Sequence, residues 1–132
     1  MVLQAIKSEQ QTQDLFPRAW DWFTGLRDQL CGAFETLEHE LEKGPNAAMS
    51  PGAFERKNWD RTNKDGAPGG GGEMSVMKGR VFEKVGVNIS SVHGSFPEKF
   101  AKEIPGAADN GGFFRACGIS VVAHMHSPHI PA

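Results

Sequence analysis

Four side chains near the C-terminus could bind a ligand or move a proton: Ser120, His124, His126 and His129. In an extended segment Ser120 and His124 fall on one face, about 13 Å apart at the usual rise per residue. On the residues alone two readings of that pair stand. Either the hydroxyl and the imidazole touch a large flat ligand across a face thinned by Gly118, or Ser120 is an ordinary sheet hydroxyl and His124 closes a strand end. His124 and His126 also put two rings on one side, a spacing that suits a divalent transition metal.

Other constellations are weaker. Gly118, His124 and His126 have the Gly-x5-His-x-His spacing that opens a cupin metal motif, but the carboxylate that should follow is replaced by Ile130 and Pro131. Gly69 to Gly72 invite a phosphate-loop reading. No Lys-Ser/Thr pair follows them, and a strand comes next where a helix N-terminus is needed. Those glycines are either a flexible loop or a backbone that must lie close to a ligand or a neighbouring strand. No acid–histidine–nucleophile set is visible, so a hydrolase triad has no support. Cys31 and Cys117 are too few for a disulfide framework and match no zinc spacing.

The elements that must position these groups are legible in the apolar periodicity. Segment 1–16 is polar and reads as flexible or a short helix. Over 17–43, Trp20, Phe23, Leu26, Leu30, Phe34, Leu37 and Leu41 recur at spacings of three and four, the stripe of an amphipathic helix. Asp14 offers a cap, Pro17 a first turn, and Gly44-Pro45 a stop. Residues 54–132 hold the strands and loops of a sheet. Phe54 to Arg61 suits a short edge strand, and Thr62 to Gly72 reads as irregular. From Met74 the period becomes two: Val81, Val85, Val87 and Ile89 line one face, with Lys84, Gly86, Asn88 and Ser90 on the other. Ser95 to Gly112 is a connection with a helical turn around Glu98 to Ile104. Phe113 to His124 is the last strand, with Ile119, Val121 and Ala123 opposite Gly118, Ser120, Val122 and His124. The fold class is α+β with an antiparallel sheet.

The chain has 132 residues, a net charge of −2, 39% hydrophobic residues and 23% charged. That suffices for one domain with a real core. The charge gives no electrostatic case for nucleic acid or an acidic membrane. No stretch approaches the apolar length of a membrane span, and the N-terminus has no signal core. The expectation is a cytoplasmic protein. One helix is poor cover for such a sheet, so the chain reads as the front part of something larger.

Longer motifs carry a resemblance. Phe54-Glu-Arg-Lys-Asn-Trp59-Asp-Arg61, the glycines 69–72, Glu73-Met-Ser75-Val76, the run Val81 to Gly94 and the run Phe114 to His124 together resemble oxygen-dependent coproporphyrinogen III oxidase. The match covers nearly everything from Phe54 on. The seven residues Thr62 to Pro68 exceed the family's usual gap, and Met125 and Ser127 depart from its His-Pro-x-Asn-Pro loop.

The resemblance implies that 1–132 is the N-terminal part of a single oxidase domain. Its fold would be a large flat antiparallel sheet flanked by helices, half of it here, acting as a homodimer. It implies oxidative decarboxylation of two propionates of coproporphyrinogen III to vinyls, giving protoporphyrinogen IX for haem biosynthesis. Molecular oxygen is the co-substrate and no organic cofactor is used; His124 would meet a divalent ion only if one takes part. Ser120 and His124 match the family's substrate-face serine and first histidine. No catalytic residue lies within the chain, so the fragment alone should be inactive. The alternatives are a small histidine-rich metal-binding β protein using His124, His126 and His129, or a non-catalytic interaction fragment using the helix stripe. A checkable expectation follows for residues outside the chain. The family's proton-donating histidine stands ten positions after the first, hence two places past Ala132; sequencing the gene beyond that codon should read histidine there, and any other residue would break the alignment of this loop.

Overall fold

The computed structural model describes residues 2–131, with side chains from Leu15 onward. Helix α1 spans Val2–Glu40, followed by four strands: β1 (Glu55–Thr62), β2 (Pro68–Met77), β3 (Phe82–Ser95) and β4 (Phe113–Met125). The short α2 (Glu98–Ala101) and a 3-10 turn (Ala108–Asn110) lie between β3 and β4. The strands form an antiparallel meander in the order β1-β2-β3-β4. This agrees with the α+β class.

The helix differs from expectation at both ends. It is continuous from Val2, so Pro17 sits inside it rather than in its first turn, and it stops at Glu40 rather than Lys43. The residues before Pro17 include four Gln with Leu3, Ala5, Lys7, Glu9 and Leu15, which tolerate helix well, and no Gly or other Pro. Met1, the first residue of that segment, and the terminal Ala132 lie outside the described residues.

The helix covers one face of the sheet only. The core there is Cys31, Met77, Phe82, Val85 and Val87, with Leu30, Phe34, Phe54, Ile119 and Met125 packed against it. Phe34 meets Phe82 edge-on at 5.1 Å between centroids. Near the other end of the contact, the Arg115 guanidinium lies 3.7 Å from the Phe16 ring centre. Phe82 points inward because the register between β3 and β4 shifts between Phe82 and Lys84. That irregularity breaks the strict alternation, so Phe82 is buried although it is an odd number of residues from Val85.

The line of the helix pressed closest to the sheet is not purely apolar. Arg27, Cys31 and Glu38 are buried, whereas Leu37, expected in the stripe, is 46% exposed. Arg27 pairs with Glu73 on β2 and, at 2.7 Å, with Asp28. Arg56 on β1 reaches Asp28 at 2.9 Å. The hydrogen bond from Arg27, then the charge and bond from Arg56, hold the Asp28 carboxyl below the usual carboxylate range.

Glu38 is fully buried, and four backbone N–H groups satisfy it. Oε2 accepts from Gly52 (3.0 Å) and Arg80 (2.7 Å); Oε1 accepts from Val81 and Phe82 (both 2.9 Å). Arg80 in turn donates to the end-of-helix carbonyls of Glu38 (2.7 Å) and His39 (3.3 Å), and to Ala47 (3.0 Å) in the following loop. Orphan carbonyls of the last turn are thereby satisfied. A Cβ on Gly79 would run into the Glu38 carboxyl, so the β2–β3 turn needs glycine there.

Desolvation alone would push the Glu38 pKa up, but the four backbone bonds outweigh it and the net shift is downward. A carboxyl depressed in the folded state adds stability that is full above its unfolded pKa and fades as pH falls through the folded value. Glu38→Gln presents an NH2 to two of these donors and should cost roughly 3 kcal/mol. Thermal melts across acid pH should show the wild type losing stability below the ordinary glutamate range and the variant losing less of it. An unchanged melting temperature at neutral pH would remove this carboxylate from its central place.

Candidate functional site

The face of the sheet turned away from α1 carries no second layer among the described residues. Directly paired residues of antiparallel strands share a face, so the registers give its rows. One row runs Trp59, Gly72, Ser90, Gly118; the next runs Lys57, Met74, Asn88, Ser120. A third runs Glu55, Val76, Gly86, Val122, and Lys84 beside His124 follows. In these rows glycine occupies one position on each of three strands, and Gly70 and Gly94 continue the same face toward its other end. Met74 is 41% and Val122 57% exposed, a degree of bare apolar surface that a finished face does not show.

The run Gly69 to Gly72, expected to be irregular, is strand. Strand β2 begins at Pro68 and pairs on both sides through these residues. Bare backbone is what allows it. A Cβ on Gly72 would strike the Ile89 carbonyl on one neighbour and the Trp59 ring on the other. The expectation that this backbone must lie close against a neighbouring strand is the one realised. Trp59 lies down over its glycine partner instead of standing on the sheet, and with Asn88, Ser90, Gly118 and Ser120 it frames a hollow of about 270 Å³.

Ser120 is exposed at the edge of that hollow. His124 is exposed on the same face and the same strand, two pairs further along, and does not line the hollow. The sheet therefore presents both side chains to one side without bringing them into contact. His126 and His129 belong to a different hollow of about 490 Å³, shared with Leu41, Arg80, Val81 and Ile130. There the His126 Nε2 lies 2.8 Å from the Gly79 carbonyl oxygen. Among the described residues no three His, Cys, Asp or Glu side chains come together as a metal-binding group. The three-histidine site weighed in the sequence does not assemble.

Cys31 is 3% exposed, and burial pushes its thiol upward, so it is a packing group and no nucleophile. Among the described residues no helix is long and apolar enough to cross a membrane. Two groups of the hollow escaped the sequence reading. The motif that holds Trp59 does not show which face its ring takes, and the alternation that puts Asn88 on the polar face gives it no role. The signal for Trp59 was available: a four-glycine strand has to pair with something bulky on its neighbour.

Comparison with known proteins comes from sequence. Residues 18–132 match the coproporphyrinogen III oxidase family. An oxygen-dependent coproporphyrinogen-III oxidase of Rickettsia bellii (strain RML369-C) is 58% identical over 111 residues, 84% of this chain and 37% of that protein. Its counterpart in Rickettsia felis is 54% identical over 114 residues, 86% of this chain and 38% of that protein. That of Rickettsia africae is 53% identical over 111 residues. The chain thus spans a little over a third of the length of the curated relatives it matches. No solved structure matches significantly.

The bare face and the unpaired outer edge of β4 make a solution prediction. Residues 1–132 expressed alone should bind a hydrophobic dye and self-associate. A monodisperse monomer with no dye binding would mean that this surface is closed in some way the strand pairing does not reveal.

Proposed function

Because the chain belongs to the coproporphyrinogen III oxidase family, we propose that it forms the N-terminal part of an oxygen-dependent coproporphyrinogen-III oxidase whose substrate lies on the glycine-rich face. The observation that carries this reading is a 53–58% identity running through nearly all of the chain that builds this face. The substrate's size suits it: a porphyrinogen is a broad macrocycle of four pyrroles on flexible methylene bridges, and rows holding Gly72, Gly86 and Gly118 leave it a floor.

In the proposed reaction each propionate loses carbon dioxide and two hydrogens and becomes a vinyl group. Molecular oxygen takes the two hydrogens and leaves as hydrogen peroxide, so the step balances with no other oxidant. The electron-rich macrocycle supplies the electrons, and the reading uses no organic cofactor. The protein's part is to bind, orient and exchange protons. Within this chain Ser120 and His124 are assigned to binding, with the hydroxyl at the hollow and the imidazole further out along the same strand. The reading needs no resident metal: His124 stands beside Lys84, and among the described residues no three His, Cys, Asp or Glu side chains come together. The same reading makes the enzyme a cytoplasmic homodimer and leaves the isolated chain without activity.

Two substitutions in the full-length enzyme test the assignment. Ser120→Ala removes one hydroxyl contact and should raise KM several-fold with little loss of kcat, about 1 kcal/mol. His124→Ala should lower kcat/KM further, by ten-fold or more on the same scale. Kinetics indistinguishable from wild type in both variants would take these residues off the substrate.

A further inference from the structure

Asn88 sits in the middle of β3, paired with Met74 on one side and Ser120 on the other, and lines the hollow under Trp59. Its Oδ1 is sealed from solvent and accepts no hydrogen bond. An orphaned amide oxygen of this kind is unfavourable, and asparagine is among the residues that strands least prefer. A valine or leucine would suit the position better on stability alone. The surroundings are also unusually empty: a Cβ on Gly86 would meet only the Asn88 Nδ2, at 3.6 Å, and one on Gly118 would meet nothing within 4 Å. Neither glycine nor Met74 has a side chain able to donate to this oxygen. A polar atom kept without a partner, on a side chain that lines the hollow and is paired with Ser120, is one turn of χ2 from receiving a donor from outside.

We infer that Asn88 is a further substrate-contact residue, whose amide oxygen accepts a pyrrole N–H of the tetrapyrrole and selects its reduced form. The inference rests on the functional reading above. The selectivity follows from ligand chemistry. In a porphyrinogen all four pyrrole nitrogens carry hydrogen, so every one offers a donor; in the oxidised porphyrin two of the four are bare acceptors. The two N–H groups the porphyrin keeps lie in the plane of a flat ring and point at its centre, whereas the pyrroles of a porphyrinogen tilt on their sp3 bridges, so a lone acceptor beneath the ring favours the reduced macrocycle. Rotation about χ2 is soft in asparagine and brings the oxygen up to the hollow. Trp59 would bound the ligand on the β1 side.

The test uses the full-length enzyme with Asn88→Leu, which keeps the volume and removes the acceptor, and Asn88→Asp, which keeps an acceptor. Three quantities are read: KM for coproporphyrinogen III, the inhibition constant of coproporphyrin III, and the melting temperature. Asn88→Leu should raise KM about ten-fold, leave porphyrin inhibition nearly unchanged, and hold or raise the melting temperature. Asn88→Asp should retain most of the wild-type KM. Unchanged KM in Asn88→Leu, in an enzyme whose wild type turns over, overturns the inference and leaves the functional reading intact. Equal weakening of both ligands with a lowered melting temperature also overturns it, since that is the signature of a structural asparagine satisfied by another part of the protein. A wild-type enzyme that does not consume coproporphyrinogen removes the functional reading itself, and this inference with it.

Discussion

The buried carboxylate of Glu38 is the constraint on which the other parts of the molecule depend. One side chain at the end of α1 takes up four backbone donors, from Gly52 before β1 and from Arg80, Val81 and Phe82 at the β2–β3 connection. It thereby fixes where the helix ends, where the first strand is approached and where the longest strand begins. Arg80 completes the arrangement by binding the carbonyls that the helix leaves open. A neutral side chain could not serve. Buried N–H groups at four positions need four acceptor lone pairs, and of the common side chains only a carboxylate offers them without a competing donor. The His126 ring near the Gly79 carbonyl carries the same anchoring to the end of β4.

With the helix held there, the two faces of the sheet have different fates. One is filled by Cys31, Phe34, Phe82, Val85 and Val87 and braced by the Arg27, Asp28, Arg56 and Glu73 charges. The other collects glycines, Asn88, Ser90 and Ser120, residue types that make a poor core and a good floor. The division is a reason to look for ligand chemistry on the second face, because the first spends its polar groups on holding itself together.

Much of this was readable beforehand. The helix stripe, the antiparallel pairing and the face shared by Ser120 and His124 follow from periods of 3.6 and 2, which reflect local geometry. What escaped depends on distant partners. Gly69 to Gly72 look unstructured because their strand character comes from Trp59 and Ile89 on the neighbouring strands. Glu38 looks like a solvated charge because its four donors lie 14 and 42 to 44 residues away. The inward turn of Phe82 needed a register shift that alternation cannot announce. His126 and His129 suggest a ligand set with His124 through proximity in sequence, and the chain's turn after β4 sends them to a different hollow from Ser120.

The long reach of the Glu38 bonds has a kinetic consequence. The β1–β2 and β2–β3 hairpins close over short connections, whereas joining Glu38 to Arg80, Val81 and Phe82 closes loops of 42 to 44 residues. Loop-closure entropy must be met before such contacts return any free energy, so the two short hairpins of β1, β2 and β3 zip first and the helix end is locked on afterwards. An interaction formed after the transition state acts on the rate of escape from the native state rather than on the rate of reaching it. The carboxylate is in that sense a latch: it does little to speed the chain's arrival at its fold and much to lengthen its stay.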